Sequence, residues 1–147
     1  MPAILLRALG VDFGMKRIGL AVSDPTGTVA TPLETLQRRA GKRPPLAHME
    51  RLGRELEVEH VVVGLPLDLN GEENEWCAEV RQVGERLGGR LGVPVSFVDE
   101  RLTSVRAERA VRSVGLPRKE RERKERVDAG AAQLILQAWL DEPGIAR

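Results

Sequence analysis

Apolar positions recur along this chain in two rhythms, and each rhythm predicts an element. Ile4, Leu5, Leu6, Leu9 and Val11 make one β-like run, and Ile18, Leu20, Ala21 and Val22 a second, so strands are expected over residues 4–13 and 18–23. Asp24-Pro25-Thr26-Gly27 signals a turn before a third extended piece at residues 28–36, which gives an antiparallel three-stranded start. The rhythm then turns helical at Leu46, Met49, Gly53 and Leu56. It returns to a strand at residues 60–64, where Val61-Val62-Val63 reads as buried on both faces in a parallel arrangement. Trp76, Val80, Val83 and Leu87 predict a second helix ended by Gly88-Gly89, followed by a strand over 93–98. Thr103 or Ser104 can cap a shorter helix with Ala107, Ala110, Val111 and Val114 on its apolar side, stopped by Gly115-Leu116-Pro117. Val127, Ala131, Leu134, Ile135, Ala138 and Trp139 mark a final helix whose stripe should lie on the sheet.

The order β, β, β, α, β, α, β, α, α describes an α/β domain with a mixed five-stranded sheet, three antiparallel strands joined to parallel ones and flanked by helices. At 147 residues the chain is expected to be a single domain, 1–147, with one sizeable core. Its apolar runs are too short to cross a bilayer, and Met1-Pro2-Ala3 does not open a secretory signal, so no membrane partner is expected. The lone Cys77 excludes an internal disulfide and a cysteine zinc site and fits a reducing cytoplasm. His48 and His60 stand apart, which argues against a histidine metal cluster.

A formal net charge of +1 does not by itself announce a nucleic-acid binder. Distribution changes that picture. Residues 38–45 form a basic loop, and residues 117–126 form a basic arm with six cations against three anions, expected to be mobile. The plainer reading of the arm is a solvated segment whose charges compensate one another.

Between the first two strands lies Gly10-Val11-Asp12-Phe13-Gly14-Met15-Lys16-Arg17-Ile18-Gly19, an aspartate at a strand end followed by a glycine-rich basic turn. Gly14 and Gly19 let a ligand approach the backbone, and Lys16 and Arg17 can face a phosphate. Two further acidic positions match Asp12. Asp99-Glu100 ends the last strand and Asp128 opens the final helix. C-terminal strand ends share a rim where ligands gather, and a helix packed back across the sheet adds Asp128 to it. Three carboxylates there would repel by about 1 kcal/mol per pair at 4 Å in water, and more in a lower dielectric, so the cluster calls for a divalent cation. Oxygen ligands alone select Mg²⁺ or Mn²⁺, and two such ions about 4 Å apart can hydrolyse a phosphodiester in line. Each acid also has a plain role: Asp12 as a turn residue, Glu100 as half of a salt bridge with Arg101, Asp128 as a helix-start charge.

These residues resemble the bacterial YqgF, or RuvX, family of the RNase H-like superfamily, described both as Holliday junction resolvases and as nucleases maturing the 5′ end of pre-16S ribosomal RNA. The resemblance spans nearly the whole chain. It rests on Asp12-Phe13-Gly14 with Lys16-Arg17-Ile18-Gly19, Val63-Gly64-Leu65-Pro66 leading to Asn70-Gly71, Asp99-Glu100-Arg101-Leu102-Thr103-Ser104, and Val127-Asp128-Ala129. It implies an RNase H-like fold, with Asp12, Glu100 and Asp128 as catalytic, metal-binding carboxylates and Mg²⁺ or Mn²⁺ as cofactor. It further implies a cytoplasmic hydrolase, monomer or homodimer, that acts in ribosome biogenesis by rRNA processing. Strand alternation lets only one of Asp99 and Glu100 face the metals, and Glu100 is the expected one. The superfamily often carries its second acid on the strand after the first helix. Here that strand ends in Gly64-Leu65-Pro66, with Asp68 as a late candidate. Lys16, Arg17 and Arg101, with Arg118, Lys119, Arg121 and Lys124 of the arm, are expected to contact nucleic-acid phosphates, as is the basic loop 38–43, without reading bases.

Other readings compete. A Holliday junction resolvase-like DNA endonuclease would use the same acids, and a non-catalytic RNase H-like binding module would use none. A sugar kinase or actin-like ATPase also opens on Asp-x-Gly, but needs two such domains where this chain offers one.

Overall fold

The computed structural model describes residues 7–38, 44–102 and 118–142, with side chains throughout except at 102 and 118–129. The strands are β1 (Ala8–Phe13), β2 (Arg17–Ser23), β3 (Ala30–Gln37), β4 (His60–Leu65) and β5 (Val95–Asp99). They form one five-stranded sheet in the order β3-β2-β1-β4-β5. β1 and β3 run antiparallel to β2, while β4 runs parallel to both β1 and β5. This is the mixed sheet that the periodicity predicts.

Alternation along the strands splits the core into two layers. Leu9, Val11, Phe13, Ile18, Leu20, Val61 and Val63 face α1 (Leu46–Glu55) and α2 (Glu75–Leu91), packing on Met49, Val80 and Leu87. The other face is lined by small side chains, Ala8, Ala21 and Ala30 with Val62, and carries α3 (Arg118–Asp141) through Ala131, Ala132, Ile135, Leu136, Trp139 and Leu140. Gly10 belongs to this face as well. A Cβ there would lie 2.8 Å from Leu136 Cβ and 3.0 Å from the Ala132 carbonyl oxygen, so the helix backbone comes down almost onto β1.

Several boundaries differ from the sequence expectation. α2 runs through Gly88-Gly89 and ends at Gly92, whose φ of 69° supplies the left-handed cap. Gly88 serves packing instead, since a Cβ on it would lie 2.2 Å from Val95 Cγ2. At its other end the Asn74 side chain accepts from the Cys77 N–H at 3.0 Å. The last helix begins at Arg118, so residues 118–126, expected as an arm, have helical backbone. Its buried stripe is also turned: Ala132, Leu136 and Leu140 are buried, while Leu134 and Ala138 are only half-buried. The turn follows from a polar edge, where Gln133 donates to the Ala30 carbonyl and Gln137 to the Thr28 carbonyl, both at 2.9 Å. The expected strand residues 4–6, the basic residues 39–43 and the helix capped at Thr103 or Ser104 lie outside the described residues. Among the described residues no helix is long and apolar enough to cross a membrane.

Candidate active site

Register brings the sequence-predicted acids toward one place. Val11 pairs with Val63 and Gly64 pairs with Val98, so Asp12 and Gly64 are the next positions along β1 and β4, two strands and one strand in from the Asp99–Glu100 corner. Asp12 follows Val11, which faces α1 and α2, so its side chain projects on the α3 face. It is buried, at 3% exposure. Glu100 is buried too, at 4%, and leaves β5 at the start of a short 3-10 turn, Glu100–Leu102. Its carboxylate folds back over Gly64: a Cβ at that glycine would lie 2.8 Å from Glu100 Oε1 and 2.5 Å from Ile135 Cδ1 of α3. The missing side chain at Gly64 is therefore the space in which Glu100 sits.

Glu100 differs from Asp99 through this turn, and strand alternation, the expected cause, does not act here because β5 ends at Asp99. Asp99 is spoken for. Arg101 donates to it from Nη2 at 2.7 Å, from Nε at 3.0 and 3.1 Å, and from its backbone N–H at 2.9 Å. The salt bridge considered between Glu100 and Arg101 is thus made by Asp99, whose hydrogen bonds raise the Arg101 pKa further. Arg101 Nη1 also donates to the Leu69 carbonyl at 3.3 Å, and its guanidinium lies against Gly71, whose φ is 86°. Arg101 therefore ties the end of β5 to the loop after β4.

Asp68 lies exposed in that loop. Its Oδ1 accepts from Asn74 Nδ2 at 2.9 Å and its carbonyl from the Gly71 N–H at 2.8 Å, which makes it part of the loop's frame. At the β1–β2 turn the Gly14 N–H donates to the Arg17 carbonyl at 2.9 Å, and a Cβ at Gly14 would lie 2.7 Å from that oxygen. The turn carries Met15 and Lys16 exposed beside the Asp12 strand end, with Arg17 half-buried. Asp128 is in α3, one helical turn before Ala132, the residue that lies over Gly10. Its side chain, like those of Arg118, Lys119, Arg121 and Lys124, falls outside the described residues. Among those residues no three acidic, histidine or cysteine side chains gather at metal-binding distance.

The donor chemistry fits a hard cation. Asp12 and Glu100 offer oxygen only, they face the same layer, and the absence of a Cβ at Gly64 makes the room that the Glu100 carboxylate takes. Arg38 is a residue that the sequence reading left unnamed within its basic loop. It follows β3 and stacks on Phe13.

The family profile for RuvX, described as Holliday junction resolvase, matches residues 6–142. Proteins named "Putative pre-16S rRNA nuclease" are similar over nearly their whole length. That of Syntrophomonas wolfei is 43% identical over 92% of this chain and 94% of its own. That of Anaeromyxobacter dehalogenans is 45% identical over 92% and 97%. Among solved structures, Thermus thermophilus RuvC superposes with a TM-score of 0.55 at 15% identity, covering 92% of this chain and 94% of that one. RuvC from the same organism in complex with a Holliday junction substrate gives 0.57 at 19% identity, covering 92% and 93%. The fold is accordingly RNase H-like.

Proposed function

The chain belongs to the RuvX family, and from that premise we propose that it is a metal-dependent nuclease that hydrolyses phosphodiesters of structured RNA, processing the 5′ end of pre-16S rRNA in the cytoplasm during ribosome biogenesis. The observation that carries this reading is the pair of buried carboxylates, Asp12 and Glu100, on the α3 face beside Gly64. The names of the curated relatives support the RNA substrate.

In this reading Asp12, Glu100 and Asp128 hold Mg²⁺ or Mn²⁺, which when bound supplies an activated water and charge neutralisation at the leaving oxygen. The chain's own groups do the positioning. Two carboxylates on one buried face concentrate the negative potential that draws a cation in, and the apolar wall of Ile135 and Val62 keeps that potential from being screened by bulk water. Lys16 and Arg17 hold the scissile strand by its phosphates at the turn, Arg101 does so from the far side, and Arg118, Lys119, Arg121 and Lys124 extend the hold along the start of α3.

Asp12→Asn nearly preserves shape and removes the charge, so it should abolish cleavage while leaving the unfolding midpoint within a few degrees of wild type. Glu100→Gln should do the same, and Asp99→Asn much less. Activity of Asp12→Asn within about tenfold of wild type would sink the assignment, because loss of a metal ligand removes several kcal/mol of transition-state stabilisation. Offering pre-16S RNA and a four-way DNA junction to one preparation decides the substrate class.

A further inference from the structure

Arg38 directly follows β3, and its backbone N–H donates to the Lys16 carbonyl at 2.8 Å, which joins it to the turn after Asp12. Its guanidinium carbon lies 4.6 Å from the Phe13 ring centroid and 5.8 Å from that of Trp76. Those two rings are themselves stacked, 5.5 Å apart at 13°. Cation–π attraction therefore holds the guanidinium over an aromatic floor.

That floor satisfies one face of the group and none of its N–H bonds. Nε is buried with no hydrogen-bond partner, and no carboxylate among the described residues pairs with Arg38. Arg54, Arg81, Arg90 and Arg101, by contrast, each reach a carboxylate, and Arg7, which shares a buried unpartnered Nε, donates from Nη1 to the Leu56 carbonyl at 3.3 Å. A guanidinium that is half-buried, restrained and without a counter-ion is preorganised for an anion brought by a ligand. A nucleobase stacked on its outer face would leave its N–H groups as they are, whereas a phosphate accepts from them in the planar fork geometry of the group.

Position gives this anion site its meaning. Asp12 and Phe13 are successive residues of β1 and project to opposite faces, Asp12 toward α3 and Phe13 toward α1 and α2. Arg38 thus lies across the end of β1 from the carboxylates, with exposed Lys16 in the turn between them. We propose that Arg38 is a phosphate-positioning residue on the face opposite the acids, so that the substrate strand crosses the Gly14–Arg17 turn and is gripped on both sides of the sheet edge. This rests on the nuclease reading.

The test is equilibrium binding by fluorescence anisotropy of an RNA hairpin with a single-stranded 5′ extension, in EDTA and across a salt series. Arg38→Gln should weaken binding several-fold and reduce the slope of log affinity against log salt by about 0.7, the loss of one single-strand phosphate contact. Arg38→Lys should recover the slope, because the charge remains, but only part of the affinity, because an ammonium does not lie flat on Phe13. In cleavage assays Arg38→Gln should raise KM with kcat little changed. Arg38→Met, which keeps apolar cover over Phe13, is read in the same way if the glutamine variant does not fold. An unchanged slope in a folded, charge-free variant overturns the proposal, and weaker binding at unchanged slope assigns Arg38 to base stacking instead. Failure of the wild-type protein to bind either this RNA or a four-way junction overturns the nuclease reading itself.

Discussion

Replacing Gly64 with alanine puts a methyl group into the space that Glu100 occupies. The new Cβ would lie 2.5 Å from Ile135 Cδ1, 2.8 Å from Glu100 Oε1 and 3.2 Å from Glu100 Cγ. Carbon contacts settle near 3.5–4.0 Å, so both neighbours must retreat by roughly 1 Å. Ile135 can turn the end of its side chain. Glu100 has less freedom, because its Cγ and its carboxylate both meet the added atom. Overpacking of this kind costs about 1–3 kcal/mol, which urea unfolding followed by the fluorescence of Trp76 and Trp139 would read as a lower midpoint at unchanged m. Cleavage should fall by at least about tenfold, equivalent to about 1.4 kcal/mol of barrier, since the displaced group is a proposed metal ligand. Ile135→Val separates the two effects. It removes Cδ1 and alone costs about 0.5–1.5 kcal/mol, but in the double variant it makes room, so the stability losses should sum to less than their parts while cleavage stays low. Wild-type stability and rate in Gly64→Ala would refute this account of the site, and strictly additive losses would show that Ile135 is not its wall.

Gly88→Ala should destabilise by about 1–3 kcal/mol, because its Cβ would meet Val95 Cγ2 at 2.2 Å and the Val93 carbonyl oxygen at 3.0 Å. Gly89→Ala, in the same helix with nothing within 4 Å, should stabilise by about 0.4–1 kcal/mol, so urea midpoints moving the same way would contradict an α2 that runs through both. Hydrogen bonds from the Thr26 hydroxyl and the Val29 and Thr28 N–H groups lower the Asp24 pKa from 3.8 to about 2. The folded value lies below the unfolded one, so this contribution is complete above about pH 4 and is lost as pH falls through about 2. Asp24→Asn should accordingly flatten that limb of the thermal-unfolding profile. Burial beside Trp139 lowers the His60 pKa, and its ring also meets Ser96 Oγ at 2.8 Å. The unfolded chain then takes up the proton first, and stability should decline as pH falls below about 6.5, a slope that His60→Gln removes.

The succession of elements and the α/β class were legible because Val61-Val62-Val63 and the runs around Leu9 and Leu20 carry their period in consecutive residues. The placement of Asp12 near the end of the first strand and of Asp99-Glu100 at the end of the last was legible for the same reason, since strand ends and turn signals locate both. What escaped depends on contacts between distant segments. Gly88 reads as a stop until Val95 is known to press on it, and Leu134 reads as core until Gln133 and Gln137 are seen to bond the edge strand. Strand alternation favours Glu100 over Asp99, whereas the structure separates them by a turn and by the grip of Arg101 on Asp99. Arg38 was legible only as one cation of a phosphate-contacting basic loop, because only the fold lays it over Phe13 and Trp76.

The helix that comes down onto Gly10 has a consequence for when this protein comes into being. Asp12 is made early, Glu100 much later, and the wall that holds Glu100 over Gly64 belongs to the helix made after both. A nascent chain that has already paired its strands still presents the α3 face as a bare floor of alanine and glycine, with Glu100 unconfined. Docking of α3 closes contacts of long sequence separation, the slow class of folding event. Until then the sheet that bears both acids lacks the helix that walls Glu100 in, so the proposed site is complete only once that last helix has docked.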